Sequence, residues 1–242
     1  MNMITEEQLY KVKDVGFHRL SPDGLSAFLL VSFIFSGFMT LIPFLGNRSN
    51  ELQIPWITAI TTIFFILWII HGLIALAFLS MKIAFRYQKW QILFVNILYV
   101  KLTFEGFVAY FVSVKGGHHL LLFLGLTFLL VGILYFLWSI QRAKVNVEKG
   151  EGSAEGKGLL YSGHCKMWAR TPLILFGLLV ITVILLMVNG IGNAWLLVMW
   201  VPVQLGLSYA YPEFYFLAYG KWSYPSFINQ AAPDKKKGIK KR

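Results

Sequence analysis

The stretch QILFVNILYVKLTFEGFVAYFVSV (Gln91–Val114) decides the fold. At 1.5 Å per residue it is long enough to cross a hydrocarbon core of about 30 Å. It holds fourteen Leu, Ile, Val and Phe residues and only two charges, Lys101 and Glu105. Lipid offers no partner for backbone N–H and C=O groups, so such a segment is a helix; strand-length runs of alternating polarity are absent. Each charge lies about ten residues from one end of the span, which puts both near the midplane. Two central charges cost about 5–7 kcal/mol on an insertion scale, and the apolar residues offset about 4–8. The span is therefore marginal alone and calls for neighbours.

The i,i+4 spacing stacks Lys101 and Glu105 on one helix face, where they can neutralise each other. Two other polar residues sit at matching depths. His71 is near the level of Lys101 on the preceding span, and Gln204 is near the level of Glu105 on the last one. Pro202, close to Gln204, can free backbone carbonyls toward the interior. His71, Lys101, Glu105 and Gln204 form the candidate site. As function, such a cluster is an ion or proton pathway or a substrate pocket. As structure, it is a buried salt bridge that fixes helix packing.

Outward from this span, five more segments read as membrane helices: about 25–45, 56–78, 119–140, 172–188 and 194–217. Gly46-Asn47 ends the first, Gly116-Gly117 turns the third into the fourth, and Thr171-Pro172 starts the fifth as N-cap and N1. Composition agrees. The chain of 242 residues is 57% hydrophobic and 14% charged, against about 25% charged for soluble domains. The fold class is an all-α polytopic membrane protein with six transmembrane helices and no sizeable soluble domain.

Charge gives the orientation. Three basic residues precede the first span and three (Lys82, Arg86, Lys89) separate the second from the third. Six more lie in the loop 141–170 and seven follow the sixth span, nineteen in all, against Arg48 and Lys115 on the other side. The bias predicts that both termini are cytoplasmic. Net charge of +11 then serves topology and anionic headgroups, and no nucleic acid is expected as partner. The tail DKKKGIKKR (Asp234–Arg242) offers Lys235, Lys236, Lys237, Lys240, Lys241 and Arg242 to an anionic lipid surface. Residues 1–24 are a cytoplasmic segment in which Thr5–Val15 can form an interfacial helix, with Leu9, Tyr10 and Val12 toward lipid. The loop 141–170 contains VEKGEGSAEGKG, the composition of a flexible linker. The basic tail occupies 218–242.

Other signals have plainer readings. Cys165, the single cysteine, excludes an intrachain disulfide, and its neighbour His164 gives no catalytic pair by adjacency alone. His118 and His119 point in different directions on a helix and form no metal site by themselves. The aromatic run Ser208–Phe227 reads as an interfacial belt. Glu213 pairs with a basic residue of the long loop or faces water. No metalloprotease, nucleophile-elbow, P-loop or dinucleotide motif is present. No cofactor or metal is expected.

These readings favour a non-catalytic membrane protein that binds another membrane component, or itself, as an accessory, regulatory or self-immunity partner. A small secondary transporter or channel subunit built on the Lys/Glu/His cluster is the alternative, and a membrane enzyme the third class. Short outer loops, the retained first helix and the lack of a disulfide framework point to a bacterial cytoplasmic membrane.

Overall fold

The computed structural model describes residues 4–48, 55–114, 119–159 and 195–229. The expected fifth span (172–188), Cys165, Lys115, His118 and the tail cations from Lys235 to Arg242 lie outside the described residues. Among the described residues there is no strand. The helices are α1 (Tyr10–Phe17), α2 (Pro22–Arg48), α3 (Pro55–Phe78), α4 (Met81–Arg86), α5 (Gln88–Val114), α6 (His119–Glu148) and α7 (Trp195–Ser223). Four of them, α2, α3, α5 and α6, are long and apolar enough to cross a membrane. α7, where the sixth span is expected, is 29 residues long but carries Pro202, Gln204, Pro212, Glu213 and Lys221, and is not among the four.

α5 is the hub. It touches α2, α3, α4, α6 and α7. It is the least apolar of the four spans, with mean hydropathy 1.7, and the most buried: 56% of its apolar window is covered, against 17% for α3. This follows from the insertion arithmetic, because a helix with two central charges is stabilised by protein on every side, whereas an uncharged one can face lipid. Two glycines let α7 in. A Cβ at Gly106 would fall 1.7 Å from the Trp200 ring, and one at Gly132 would fall 1.8 Å from the Gln204 amide. Small residues at those two crossings allow the large α7 side chains to lie against the α5 and α6 backbones.

The aromatic run of α7 is largely core. Tyr211 and Phe214 turn inward and meet Tyr99 of α5 at 5.6 and 4.7 Å between ring centroids. Phe136 of α6 meets Tyr211 at 4.6 Å, and Phe28 of α2 stacks on Tyr99 at 5.7 Å. Only the other face, with Tyr215 and Trp222, is exposed as a belt would be. Each well-placed ring pair adds about 0.5–1.5 kcal/mol beyond its burial.

The N-terminal segment forms a helix, as its amphipathic pattern requires, but Leu9 and Val12 face protein instead of lipid. They are buried in the same cluster as Leu217, Phe227, Val147 and Leu159, while Tyr10 is exposed. Gly16 lies against Leu217, the Tyr224 hydroxyl donates to the Ile4 carbonyl, and Arg19 pairs with Glu213. Glu213 thus finds a cation in the N-terminal segment.

The first half of that loop is folded. α6 continues to Glu148 because Ser139, Ala143, Asn146 and Val147 keep one face buried at helical spacing. Gly150, at φ 80°, then turns the chain back. The Gly152 carbonyl accepts the Lys11 N–H at 2.8 Å, and a Cβ at Gly152 would collide with the Gln8 carbonyl. Leu159, the last described residue of this stretch, is buried. Linker-like composition is thus compatible with a packed turn, because the glycines admit close backbone approach and one leucine anchors the end.

Candidate functional site

α2 supplies a row of hydroxyls that turns toward α5. Ser32, Ser36 and Thr40 recur every fourth residue, share one face and are all buried. Lys101 Nζ donates to Glu105 Oε1 at 2.7 Å and to Ser36 Oγ at 2.7 Å. Ser36 Oγ in turn donates to Glu105 Oε1 at 2.9 Å, and Thr40 Oγ1 donates to the same oxygen. One carboxylate oxygen therefore collects three donors, while Oε2 is buried without a partner among the described residues. The side chains of Glu105 and Lys101 are 0% and 7% exposed. Lys101 Nζ also lies 5.6 Å from the centre of the Phe64 ring of α3, a cation–π contact that closes the third side.

His71 sits one rung along the same row. Its Nε2 is 3.1 Å from the Leu29 carbonyl and 3.2 Å from Ser32 Oγ. A carbonyl only accepts, so the proton is on Nε2; Nδ1 is buried and unpartnered among the described residues. Ser32 and Ser36 are four residues apart, about 6 Å along the axis, which separates the imidazole from the ion pair by a single rung.

Gln204 is elsewhere. It is fully buried against Gly132 of α6, with both amide atoms unpartnered among the described residues, and no hydrogen bond joins it to Glu105. Glu105 faces α2, whereas its neighbour Gly106 faces α7, so the two polar groups lie on different faces of α5. The row Trp200, Gln204, Ser208 is a second line of buried polar side chains at i, i+4, i+8, each with an atom unpartnered among the described residues.

Further polar groups join the helices near the start of α5. Gln91 Nε2 donates to the Pro22 carbonyl at 2.8 Å and to Ser26 Oγ at 2.9 Å; Ser26 Oγ reaches the Phe78 carbonyl at 2.7 Å. These bonds tie α2, α3 and α5 at one level. Lys221, read in the sequence as one more topology charge, is 0% exposed and donates to Gln88 Oε1 at 2.8 Å. Gln88 also accepts the Asn229 N–H and donates to the Asn229 carbonyl. Burial pushes the Lys221 ammonium down to about 8.

The hydroxyl row was the missed part of the site. Its signal is present in the first span as Ser-x-x-x-Ser-x-x-x-Thr (Ser32–Thr40), a spacing that marks one face of a helix. Among the described residues no three His, Cys, Asp or Glu side chains gather to hold a metal ion. Comparison with family models, curated proteins and solved structures finds no match.

Proposed function

We propose that the chain is a multi-pass integral membrane protein that works by binding another membrane component, as an accessory, regulatory or self-immunity partner. In this reading residues 194–217, nearly all of them in α7, and the segment 172–188 complete six spans, both termini are cytoplasmic, and the host membrane is a bacterial cytoplasmic membrane. The charge asymmetry supports the orientation.

One observation carries the binding role: the closure of the Lys101–Glu105 pair on itself. The lysine gives hydrogen bonds to its own helix's carboxylate and to Ser36, and the carboxylate oxygen it holds is filled by α2 hydroxyls. Charge so neutralised fixes the register of α2, α3 and α5 and needs no substrate. The chemistry then resides in the outer surface, which meets a partner. In-membrane cross-linking of the full chain followed by purification should return one stoichiometric membrane partner. A chain recovered alone at full yield overturns the reading. Orientation is tested by single-cysteine labelling in a Cys165→Ser background; strong labelling of a tail cysteine by an impermeant reagent in intact cells defeats it.

A transporter or channel subunit is the second reading. It is favoured by the unpartnered Oε2 of Glu105 and Nδ1 of His71 on one hydroxyl row. Proton-dependent flux in proteoliposomes, abolished in a folded Lys101→Met/Glu105→Gln protein, would establish it over the first.

A further inference from the structure

Where α3 ends and α5 begins, α4 makes a corner of six residues. The corner leaves an open groove of about 380 Å³, lined by Ile70, Leu73, Ile74 and Ala77 of α3, Ile83 of α4, and Trp90 and Phe94 of α5. From Ile70 to Phe78 the groove follows about 12 Å of helix, within the roughly 15 Å of hydrocarbon in one leaflet. It is too short to seat a membrane-spanning partner helix along its length.

Cations alternate with the lining residues at the α4 end. Lys82 precedes Ile83, Arg86 precedes Tyr87 and Lys89 precedes Trp90. None of the three forms an ion pair among the described residues. The sequence has no acidic residue between Glu51 and Glu105, so nothing local neutralises them. Aromatic rings hold two of them in place: the Arg86 guanidinium lies 5.4 Å from the Tyr87 ring centre, and Lys89 Nζ lies 5.5 Å from that of Trp222. Trp90 meets Trp222 edge-on at 5.9 Å. An apolar trough one leaflet deep, rimmed by tryptophans and ending in cations without an ion-pair partner among the described residues, has the layered polarity of a phospholipid.

We propose that this groove is a binding site for one anionic phospholipid, with an acyl chain along α3 and α5 and the phosphate between Arg86 and Lys89.

Native mass spectrometry of the full-length chain in detergent tests it, by titration with phosphatidylglycerol or phosphatidylcholine of identical chains. The six tail cations are replaced by Gln throughout, so that the tail's own attraction drops out. The groove should then retain phosphatidylglycerol in preference to phosphatidylcholine. Arg86→Gln with Lys89→Gln should weaken phosphatidylglycerol binding about 25-fold, roughly fivefold per cation, and leave phosphatidylcholine unchanged. Ala77→Trp, at an exposed position, should lower retention of both lipids by filling the trough. Equal binding of the two lipids overturns the proposal. So does a charge variant that binds phosphatidylglycerol as before. If the charge variant fails to fold, Ala77→Trp decides: unchanged retention overturns the site. A photo-crosslinker at Leu73 that labels a second protein instead of lipid overturns it as well.

Discussion

Two buried lysines meet the same problem in different ways. Lys101, in the middle of α5, has a carboxylate one turn away, a hydroxyl from α2 and an aromatic face from α3. Lys221, at the end of α7, has an amide oxygen and no carboxylate among the described residues. The first cation is cancelled by a counter-charge; the second is merely solvated by a side chain. A counter-charge makes removal of either partner costly, because the other is left buried and unpaired. An amide does not, since Gln88 Oε1 keeps the Asn229 N–H when the lysine goes.

The largest effect should come from breaking the pair. Lys101→Met should lower stability by about 3–5 kcal/mol. Glu105→Gln should cost less, because the amide oxygen still accepts the α2 hydroxyls. The double variant should recover most of the loss. Unfolding in detergent and folded yield measure all three, and single variants as stable as wild type would erase the difference between the two lysines.

The second test is pH. The folded-state value for Lys221 is about 8, below the 10.5 of a free lysine. Between those values the unfolded chain binds more protons than the folded one, so stability rises with pH across that window. The rise is on the order of 3 kcal/mol, and below about pH 8 the penalty for the buried charge is fully present. Lys221→Met should flatten the profile and be at least as stable as wild type at pH 7. A variant less stable at pH 7, with the slope intact, would show that Lys221 is held as Lys101 is.

Ser36→Ala comes third. Ser36 accepts from Lys101 and donates to Glu105, so its loss should cost about 1.5–3 kcal/mol. In the Lys101→Met/Glu105→Gln background the same change should cost under about 1 kcal/mol, since no charge remains to be served. Equal costs in both backgrounds would uncouple the hydroxyl row from the pair. The smallest effect is Arg19→Gln. Arg19 is 65% exposed, so its bond to Glu213 should contribute less than about 1 kcal/mol, lost further in high salt.

Depth was legible in the sequence, and rotation was not. Hydropathy and residue counting place Lys101, Glu105, His71 and Gln204 along the membrane normal. They say nothing of which way each helix turns about its own axis. Gly106 and Gly132 fix that rotation for α7, through contacts with Trp200 and Gln204 that no local pattern announces. The pair itself was readable because both members lie on one helix four residues apart. The Ser32–Ser36–Thr40 face was readable as a face, but not as the one turned to α5. The segment around Leu9 and Val12 shows the same limit: its apolar side is plain, and only residues about 140 to 220 positions later reveal that protein covers it. Lys221 counts toward topology by composition, and its burial depends on Gln88 and Asn229.

The closure between the two ends of the described chain sets a schedule. The Tyr224 hydroxyl and the Ile4 carbonyl it bonds are 220 positions apart. At roughly 5–20 residues per second, a ribosome takes about 10–40 s to make the chain between them. For that time Leu9 and Val12 have no Leu217 or Phe227 to cover them. The amphipathic segment is then free to rest on the membrane surface. Its helix is thus available twice, first as an insertion-stage float and then as a seal. A helix made late completes an element that emerged about 200 residues earlier.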